Sequence, residues 1–441
     1  MQIRSLRMEN FRRFDHLSIE FDPQLTVVAA RNGKGKTTVL EAAALALGPF
    51  VGAFDESRGE NIKRSDARFT GYEREGHNEQ AFPVIIDAQF ANPEIQSIRE
   101  LRSAKGSTTT GGSRDLADYG KQLQDNVREY DPLILPLVGY YSSKRLWVHH
   151  NSSSSKTVSK SRMAGYTDCL SAMSSFNQLT EWVKKAELVD LQQQQRAGGT
   201  FFGQSFRLQA VADTVEFMLQ DEGWTDFHYD LDADALVLRH PDSGKLPVNI
   251  LSDGIRAMTT LAADLARRAS QLNPDLGPRA PEITPGIVLI DEVDLHLHPE
   301  WQQRVLGGLT RAFPQMQFIV STHSPQVLSS VSQQNIRTIH QDAEGRWLAE
   351  EPREEILGLS SEVALTQVMH VNPKPPVAET ERLNEYTKLI EQGQAQSEEA
   401  LALRESLEHT YGAGHQVLRD ADRLIRFQDL KLRRAEGDRR F

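Results

Sequence analysis

Three runs of mainly apolar residues stand out in the pattern of hydrophobic and polar positions along the chain. They cover Leu25 to Ala29, Ile287 to Ile290 and Met316 to Val320. Short runs without regular polar alternation are typical of parallel strands that are buried on both faces. Pro83 to Phe90 and Leu135 to Tyr141 are predicted to be further strands. The pattern therefore predicts an α/β fold with a parallel sheet.

Helical patterns lie between and after these strands. The predicted helices are Thr38 to Leu47, Leu208 to Leu219 and Ile255 to about Leu272, and a hairpin is predicted for Phe227 to Leu238. A proline-rich break at 372–376 precedes a helical tail, in which two apolar faces recur: Leu383, Tyr386 and Ile390, then Leu418, Ala421 and Ile425. We divide the chain into a first α/β lobe (1–145), an inserted helical and β region (146–245), a second lobe (246–370) and the tail (371–441).

A glycine-rich turn joins the first apolar strand to the first helix. We call residues 30–37, with the sequence ARNGKGKT, the phosphate loop. Glycines at 33 and 35 allow backbone amides to curl around phosphate oxygens at a helix N-terminus, as the motif G-x-x-x-x-G-K-[ST] does for ATP. The predicted ATP contacts are Asn32, Gly33, Lys34, Gly35, Lys36, Thr37 and Thr38, with the Thr37 hydroxyl also on Mg²⁺. Ala30 replaces the first glycine of the motif, which leaves the rate of hydrolysis open.

Polar residues follow the other two apolar strands. Asp291 and Glu292 end one strand, and Ser321-Thr322-His323 ends the other. Nucleotide sites of open α/β sheets lie at such strand ends. We expect Asp291 to hold Mg²⁺, Glu292 to orient or deprotonate the attacking water, and His323 to sense the γ-phosphate.

The segment LSDGIR, residues 251–256, carries a helix N-cap signal and is named here the signature segment. Ser252, Asp253 and Gly254 are candidate phosphate contacts, because a helix N-terminus attracts anions. An ordinary capped helix is the alternative. The segment resembles the LSGGQ-type signature of the ABC superfamily, which completes the nucleotide site of a second protomer. That resemblance implies a head-to-head homodimer with two ATP molecules between the chains.

The opening Asn10-Phe11-Arg12-Arg13-Phe14 and the stretch DEVDLHLHP at 291–299 resemble RecF, SMC and overcoming-lysogenization-defect ATPases. The resemblance implies an ABC-type P-loop head and places Arg12 or Arg13 near the nucleotide; two solvated arginines in a hairpin are the alternative. The glutamine loop of such heads stays unassigned between Gln89 and the segment 140–145. The opening and the stretch DEVDLHLHP also argue against a subunit of a transporter ATPase.

Composition narrows the classes of function. The chain has 441 residues and a net charge of −11, so its overall charge does not favour binding of nucleic acid. It has a single cysteine, which excludes an internal disulfide. A local basic surface on a dimer could still hold DNA. The chain lacks a signal segment and an apolar run of membrane-spanning length, which predicts a soluble, cytoplasmic protein without membrane partners.

About two hundred residues separate the phosphate loop from the signature segment, without the sustained heptads of a long SMC arm. We find no acidic constellation like that of a Toprim nuclease, so the chain is not expected to cut nucleic acid itself.

Nearly the whole span, with VGYYSSKR, STHSPQ and the tail from VNPKPP onward, resembles the PtuA ATPases of Septu antiphage systems and related retron operons. The resemblance implies an HNH-type nuclease partner and a higher homo-oligomer. A RecF-like repair ATPase that binds DNA in an ATP-dependent way is the alternative. The tail is either a docking and oligomerisation element or packs on its own domain.

Overall fold

The computed structural model describes residues 1–31, 33–70, 79–143, 161–171, 176–196 and 206–437. The chain divides into two compact units, Met1–His370 and Val371–Phe441. Among the described helices, none combines the length and apolar content that crossing a membrane requires.

Strands occur only in the first unit of the described chain. In chain order they are β1 (Gln2–Phe11), β2 (Phe14–Glu20), β3 (Leu25–Ala29), β4 (Phe69–Thr70), β5 (Glu79–Gln80), β6 (Val84–Ala91), β7 (Ile95–Leu101), β8 (Leu137–Tyr141), β9 (Thr225–Asp230), β10 (Ala235–His240), β11 (Gly244–Pro247), β12 (Gly286–Ile290), β13 (Met316–Thr322), β14 (Ile336–Gln341) and β15 (Trp347–Glu350).

Helices occur in both units. They are α1 (Lys36–Val51), α2 (Arg114–Arg128), α3 (Phe176–Arg196), α4 (Phe206–Leu219), α5 (Asp253–Leu272), α6 (Ala280–Ile283), α7 (Pro299–Gln302), α8 (Val305–Ala312), α9 (Pro325–Leu328), α10 (Ser361–Gln367), α11 (Ala378–Glu391), α12 (Glu398–Tyr411) and α13 (Gln416–Gly437).

The central sheet has the strand order β15-β14-β3-β13-β12-β8, and its strands from β14 to β8 are parallel. The strands β3, β12 and β13 are buried at every position, which fits their apolar sequences. Parallel neighbours end at one edge, so the residues that follow these three strands meet there. The first unit also holds an antiparallel sheet, β2-β1-β6-β7, a small sheet, β11-β10-β9, and the strand pair β4-β5.

The predicted strands and hairpin, and the helices α1, α4 and α5, are confirmed with small shifts of their ends. The pattern missed β7 and the helix α2. A short turn over Gly111–Ser113 leads directly into α2. The buried residues of α2 are Leu116, Gly120 and Gln124, and the partly buried Tyr119, Leu123 and Val127 also pack against the core. The helix therefore has one apolar face.

A buried ionic cluster ties α5 to β8. Asp264 accepts hydrogen bonds from Arg267 Nε at 3.0 Å, from Arg268 Nε at 2.8 Å and from the Tyr141 hydroxyl at 2.8 Å. Burial opposes ionisation of this carboxyl, but Arg268 and Arg267 outweigh it and lower the pKa of Asp264. The cluster fixes the helix of the signature segment against the strand beside β12.

We expect Asp264→Asn to lower the free energy of unfolding by about 3–5 kcal/mol, because two buried guanidinium groups lose their counter-ion. Chemical denaturation measures the loss. Asp125→Asn, which removes an exposed carboxylate that pairs with Arg128 on α2, is the control and should cost far less. Equal losses in the two variants would contradict the structural role of Asp264.

The second unit consists of α11, α12 and α13 around a small core of its own. The buried core side chains are Tyr386, Leu389, Ile390, Ala400, Leu407, Leu418 and Ala421, with Leu383 and Ile425 packed beside them. Both apolar faces predicted for the tail are therefore confirmed. Large apolar side chains also stay exposed in this unit, among them Leu401, Phe427 and Leu430.

Candidate nucleotide-binding site

The phosphate loop runs from the end of β3 to Lys36, the first residue of α1. Gly33 and Gly35 have φ angles of 70° and 101°, in the region that favours glycine. A Cβ at Gly35 would lie 2.3 Å from Cζ of Phe14, so packing also excludes a side chain there. Asn32 lies outside the described residues.

Ala30 fits the loop without a left-handed backbone. It is buried, and it does not occur among the residues of positive φ in the described chain. Its carbonyl oxygen accepts a hydrogen bond from Lys36 Nζ at 2.9 Å. The departure from the glycine of the motif therefore leaves the turn intact.

Lys36 is held inside the loop by neutral acceptors. Besides the Ala30 carbonyl, its Nζ lies 3.3 Å from Nδ1 of His323. Burial lowers the pKa of Lys36 to about 8, although Asp291, Glu292 and Asp294 act in the opposite direction. Burial and Lys36 together lower the pKa of His323. A partly desolvated ammonium of this kind gains strongly from an approaching phosphate.

A hydroxyl and a carboxylate face each other beside Lys36. Thr37 Oγ1 lies 3.1 Å and 3.0 Å from the two carboxylate oxygens of Asp291, and Thr38 is buried in α1. Asp291 is buried and also accepts a hydrogen bond from Ser321 Oγ at 2.6 Å. The two residues predicted to share Mg²⁺ are thus adjacent.

The turn after β12 is fastened to the end of β13. Glu292 has a φ of 50° and donates its backbone N–H to Ser321 Oγ at 2.8 Å. Asp294 accepts a hydrogen bond from Thr322 Oγ1 at 2.6 Å. The hydroxyls of Ser321 and Thr322, the last two residues of β13, therefore hold the turn at residues 291–294, which we call the acidic turn.

Arg12 and Arg13, the two adjacent arginines of the N-terminal motif, differ in their surroundings. Arg12 donates to Asp66 Oδ1 from Nε at 3.1 Å and from Nη2 at 3.0 Å, and also pairs with Glu41. These groups line a cavity of about 130 Å³ beside α1. The contact of Arg12 with nucleotide stays a prediction.

Arg13, by contrast, lies against the phosphate loop. Its Nη1 is 4.0 Å from the point where a Cβ on Gly33 would sit. Its guanidinium carbon is 4.6 Å from the ring centroid of Trp347 on β15, and Lys34 Nζ is 5.5 Å from the same centroid. The Trp347 ring thus makes cation–π contacts with Arg13, which lies between β1 and β2, and with Lys34 of the phosphate loop.

The signature segment begins α5, as predicted. Ser252 is exposed and its side chain makes no capping hydrogen bond; Asp253 pairs with Arg256 at 2.7 Å. A Cβ on Gly254 would lie 2.9 Å from the carbonyl oxygen of His296, which explains the glycine. In the described part of the chain, no hydrogen bond or ion pair joins Ser252, Asp253 or Gly254 to the phosphate loop.

Comparison with known proteins gives the family context of this site. A sequence family described as AAA domain matches residues 5–198. The Retron Vc95 probable ATPase of Vibrio cholerae serotype O1 biovar El Tor is 26% identical, over 89% of this chain and 84% of the relative. The Retron Ec83 probable ATPase of Escherichia coli is 24% identical, over 95% and 85%. The Septu protein PtuA of Bacillus thuringiensis is 19% identical, over 81% and 84%.

The chain is a relative of the retron and Septu ATPases. The predicted fold, an α/β head with a phosphate loop and a helical C-terminal region, is confirmed, and the similarity to retron and Septu ATPases agrees with the predicted class. Among solved structures, the Smc head bound to the C-winged helix domain of ScpA is similar, with 15% identity, a TM-score of 0.48 and coverage of 79% of this chain and 98% of that one.

The two candidates for the glutamine loop lie in different places. Gln89 is exposed on β6, in the antiparallel sheet. The segment 140–145 begins with the last two residues of β8, and the carbonyl of Tyr141 accepts the Asp291 backbone N–H at 2.8 Å. Burial and the nearby Asp291 raise the pKa of Tyr140. The geometry favours this second candidate, of which Lys144 and Arg145 lie outside the described residues.

The residues at this edge fit ATP and Mg²⁺ chemically. The loop offers backbone amides at two glycines and an ammonium that has only neutral hydrogen-bond partners in the described chain. Thr37 and Asp291 offer hard oxygen ligands, which Mg²⁺ prefers. Sequence reasoning missed the roles of Ser321 and Trp347. It assigned a role only to His323 in the segment 321–323, and Trp347 belongs to no nucleotide motif.

Proposed function

We propose that this chain is the ATP-switched subunit of an antiphage defence complex: two copies close head to head around two ATP molecules, and closure controls a separate HNH-type nuclease. The observation that carries the proposal is the convergence of Lys36, Thr37, Asp291 and His323 at one sheet edge, with the signature segment presented elsewhere to solvent. The retron and Septu relatives support the defence setting.

ATP binding rests on the phosphate loop in this proposal. Backbone amides around Gly33 and Gly35 surround the β-phosphate, and Lys36 exchanges its neutral acceptors for phosphate oxygens. Thr37 and Asp291 would hold Mg²⁺, directly or through water, and the ion would neutralise charge on the phosphates. Arg13 and Lys34, carried by Trp347, add positive charge beside the loop.

Hydrolysis is assigned to Glu292 and His323. The Glu292 carboxylate orients the attacking water and accepts its proton while the bond between the γ-phosphorus and the bridging oxygen breaks. His323, which contacts Lys36 and is followed by the helix α9, registers whether the γ-phosphate is present. Loss of that phosphate would therefore be transmitted along β13.

The signature segment completes the site of the second protomer. Ser252 is exposed at the start of a helix of 20 residues, and its hydroxyl has no capping bond to give up. A helix N-terminus with exposed amides stabilises an incoming phosphate. A homodimer with two-fold symmetry satisfies both sites at once.

We expect Ser252→Arg to abolish ATP-induced dimerisation and leave binding of ATP to the monomer unchanged, because the bulky cation blocks only the contact between protomers. Light scattering and nucleotide titration separate the two effects. Ser360→Arg is the matched control, since Ser360 is also an exposed serine that precedes a helix without a side-chain capping bond. Unchanged dimerisation of the Ser252 variant would refute the composite site.

The nuclease partner is tested by co-expression of the full chain with the proteins encoded beside it, followed by pull-down and light scattering with and without ATP. The proposal predicts a stable complex that contains an HNH protein, while the isolated chain does not cut DNA. An ATP-induced dimer that captures DNA in a salt-sensitive way, and no nuclease, would instead support a RecF-like role. The exposed Phe427 and Leu430 of α13 offer an apolar surface for docking of the partner.

A further inference from the structure

Ser321, on β13, makes three contacts with the turn that follows β12. Its Oγ donates to Asp291 Oδ1 at 2.6 Å and accepts the backbone N–H of Glu292 at 2.8 Å. Its carbonyl oxygen accepts the N–H of Val293 at 2.9 Å. Ser321 is completely buried, so water does not compete for these bonds.

Glu292, whose backbone N–H binds Ser321 Oγ, has an unusual backbone conformation. Glu292 lies in the left-handed region, with a φ of 50°, where a glutamate is uncommon. Such a conformation persists only when surrounding contacts enforce it. The two contacts that Ser321 makes to the backbone, at residues 292 and 293, lie on either side of the Glu292 Cα.

The direction of the hydroxyl is fixed by its neighbours. An ionised Asp291 only accepts, so the Ser321 proton points to that carboxylate and a lone pair remains for the Glu292 N–H. Thr37 also places a hydroxyl beside Asp291 and is expected to turn to Mg²⁺ when nucleotide binds. Ser321 then remains to orient the carboxylate from the side of the sheet.

We propose that Ser321 is a positioning residue for ATP hydrolysis, which sets the left-handed backbone of Glu292 and thereby the place of its carboxylate. The inference rests on the proposed function of Glu292 as the group that activates water. It adds that β13, which leads directly into His323, controls the geometry of the acidic turn. A change at His323, such as loss of the γ-phosphate, that displaces β13 would then also misplace the carboxylate of Glu292, the general base.

The test compares Ser321→Ala with wild type in ATP turnover, nucleotide affinity and the crystal structure. We expect kcat to fall about 10- to 100-fold, as is typical when a supporting hydrogen bond of a metal site is lost. Nucleotide affinity should change little, because the phosphate loop is untouched. In the crystal structure Glu292 should leave the left-handed region, while Thr37 stays beside Asp291.

Ser97→Ala is the matched control. Ser97 is an equally buried serine on a strand of the antiparallel sheet, and its hydroxyl has no hydrogen-bond partner within the described chain. Its removal should leave kcat and the Glu292 backbone as in wild type. Thermal unfolding of both variants shows whether each one is folded at the assay temperature.

Two results would overturn the inference. One is turnover by Ser321→Ala at the wild-type rate; the other is an unchanged left-handed Glu292 in its crystal structure. Failure of the proposed function is a different result, because wild type itself would then neither bind nor hydrolyse ATP. In that case the crystal structure of the variant still decides whether Ser321 sets the Glu292 backbone.

Discussion

Replacement of Lys36 by alanine should abolish nucleotide binding at the concentrations that saturate wild type. Lys36 is the one side chain of the phosphate loop that is both buried and charged in the described residues. Loss of its charge-assisted bonds to two phosphates should cost about 3 kcal/mol or more, which corresponds to a loss of affinity of roughly a hundred-fold. Isothermal titration calorimetry with ATP and Mg²⁺ measures the effect.

The design separates lost charge from lost packing. Lys36→Met keeps most of the buried stem and removes only the ammonium, so it should lose affinity to the same extent as Lys36→Ala. Lys121→Ala, on the exposed side of α2, should bind as wild type does. Wild-type affinity of Lys36→Met would show that the phosphates lie elsewhere.

Glu292→Gln should retain ATP and accumulate the closed dimer, while turnover falls by about 10²- to 10⁴-fold, the usual contribution of general base catalysis. Glutamine has nearly the same shape and keeps the backbone N–H that Ser321 Oγ accepts. The amide cannot take a proton from water at neutral pH. Single-turnover hydrolysis and light scattering in ATP report the two effects.

A carboxylate far from the site provides the comparison. Glu282→Gln removes an exposed charge that pairs with Arg279 at 3.2 Å, and it should hydrolyse ATP at the wild-type rate. If Glu292→Gln also turned over ATP at that rate, the assignment of the general base would be wrong.

The strands and the motif residues could be predicted because their signals are local. Buried parallel strands leave apolar runs, and the order of motifs along the chain predicts that Lys36, Asp291 and His323 lie at one edge. The confirmed bounds of β3, β12 and β13 follow from the same runs. The helix α2 could have been predicted in the same way, because Leu116, Tyr119, Leu123 and Val127 recur at helical spacing.

The supporting contacts could not be predicted, because they join residues that are remote in sequence. Trp347 meets Arg13 across 334 positions by a cation–π contact for which no sequence pattern exists. Ser321 stands in the segment that drew attention only for His323, and its bonds depend on how β12 and β13 end side by side. Such contacts depend on register and side-chain direction.

The most direct test of the composite site is ATP hydrolysis by a mixture of Lys36→Ala and Ser252→Arg chains. Each variant alone lacks one half of every site and should be inactive. In a mixed dimer, the phosphate loop of the Ser252→Arg chain meets the intact signature segment of the Lys36→Ala chain, so one complete site forms. The introduced arginine faces the phosphate loop of the Lys36→Ala chain, where no ATP occupies the space that the arginine needs. A composite site predicts that mixing restores a clear fraction of wild-type turnover. A mixture as inactive as its components would show that the site is not shared between chains.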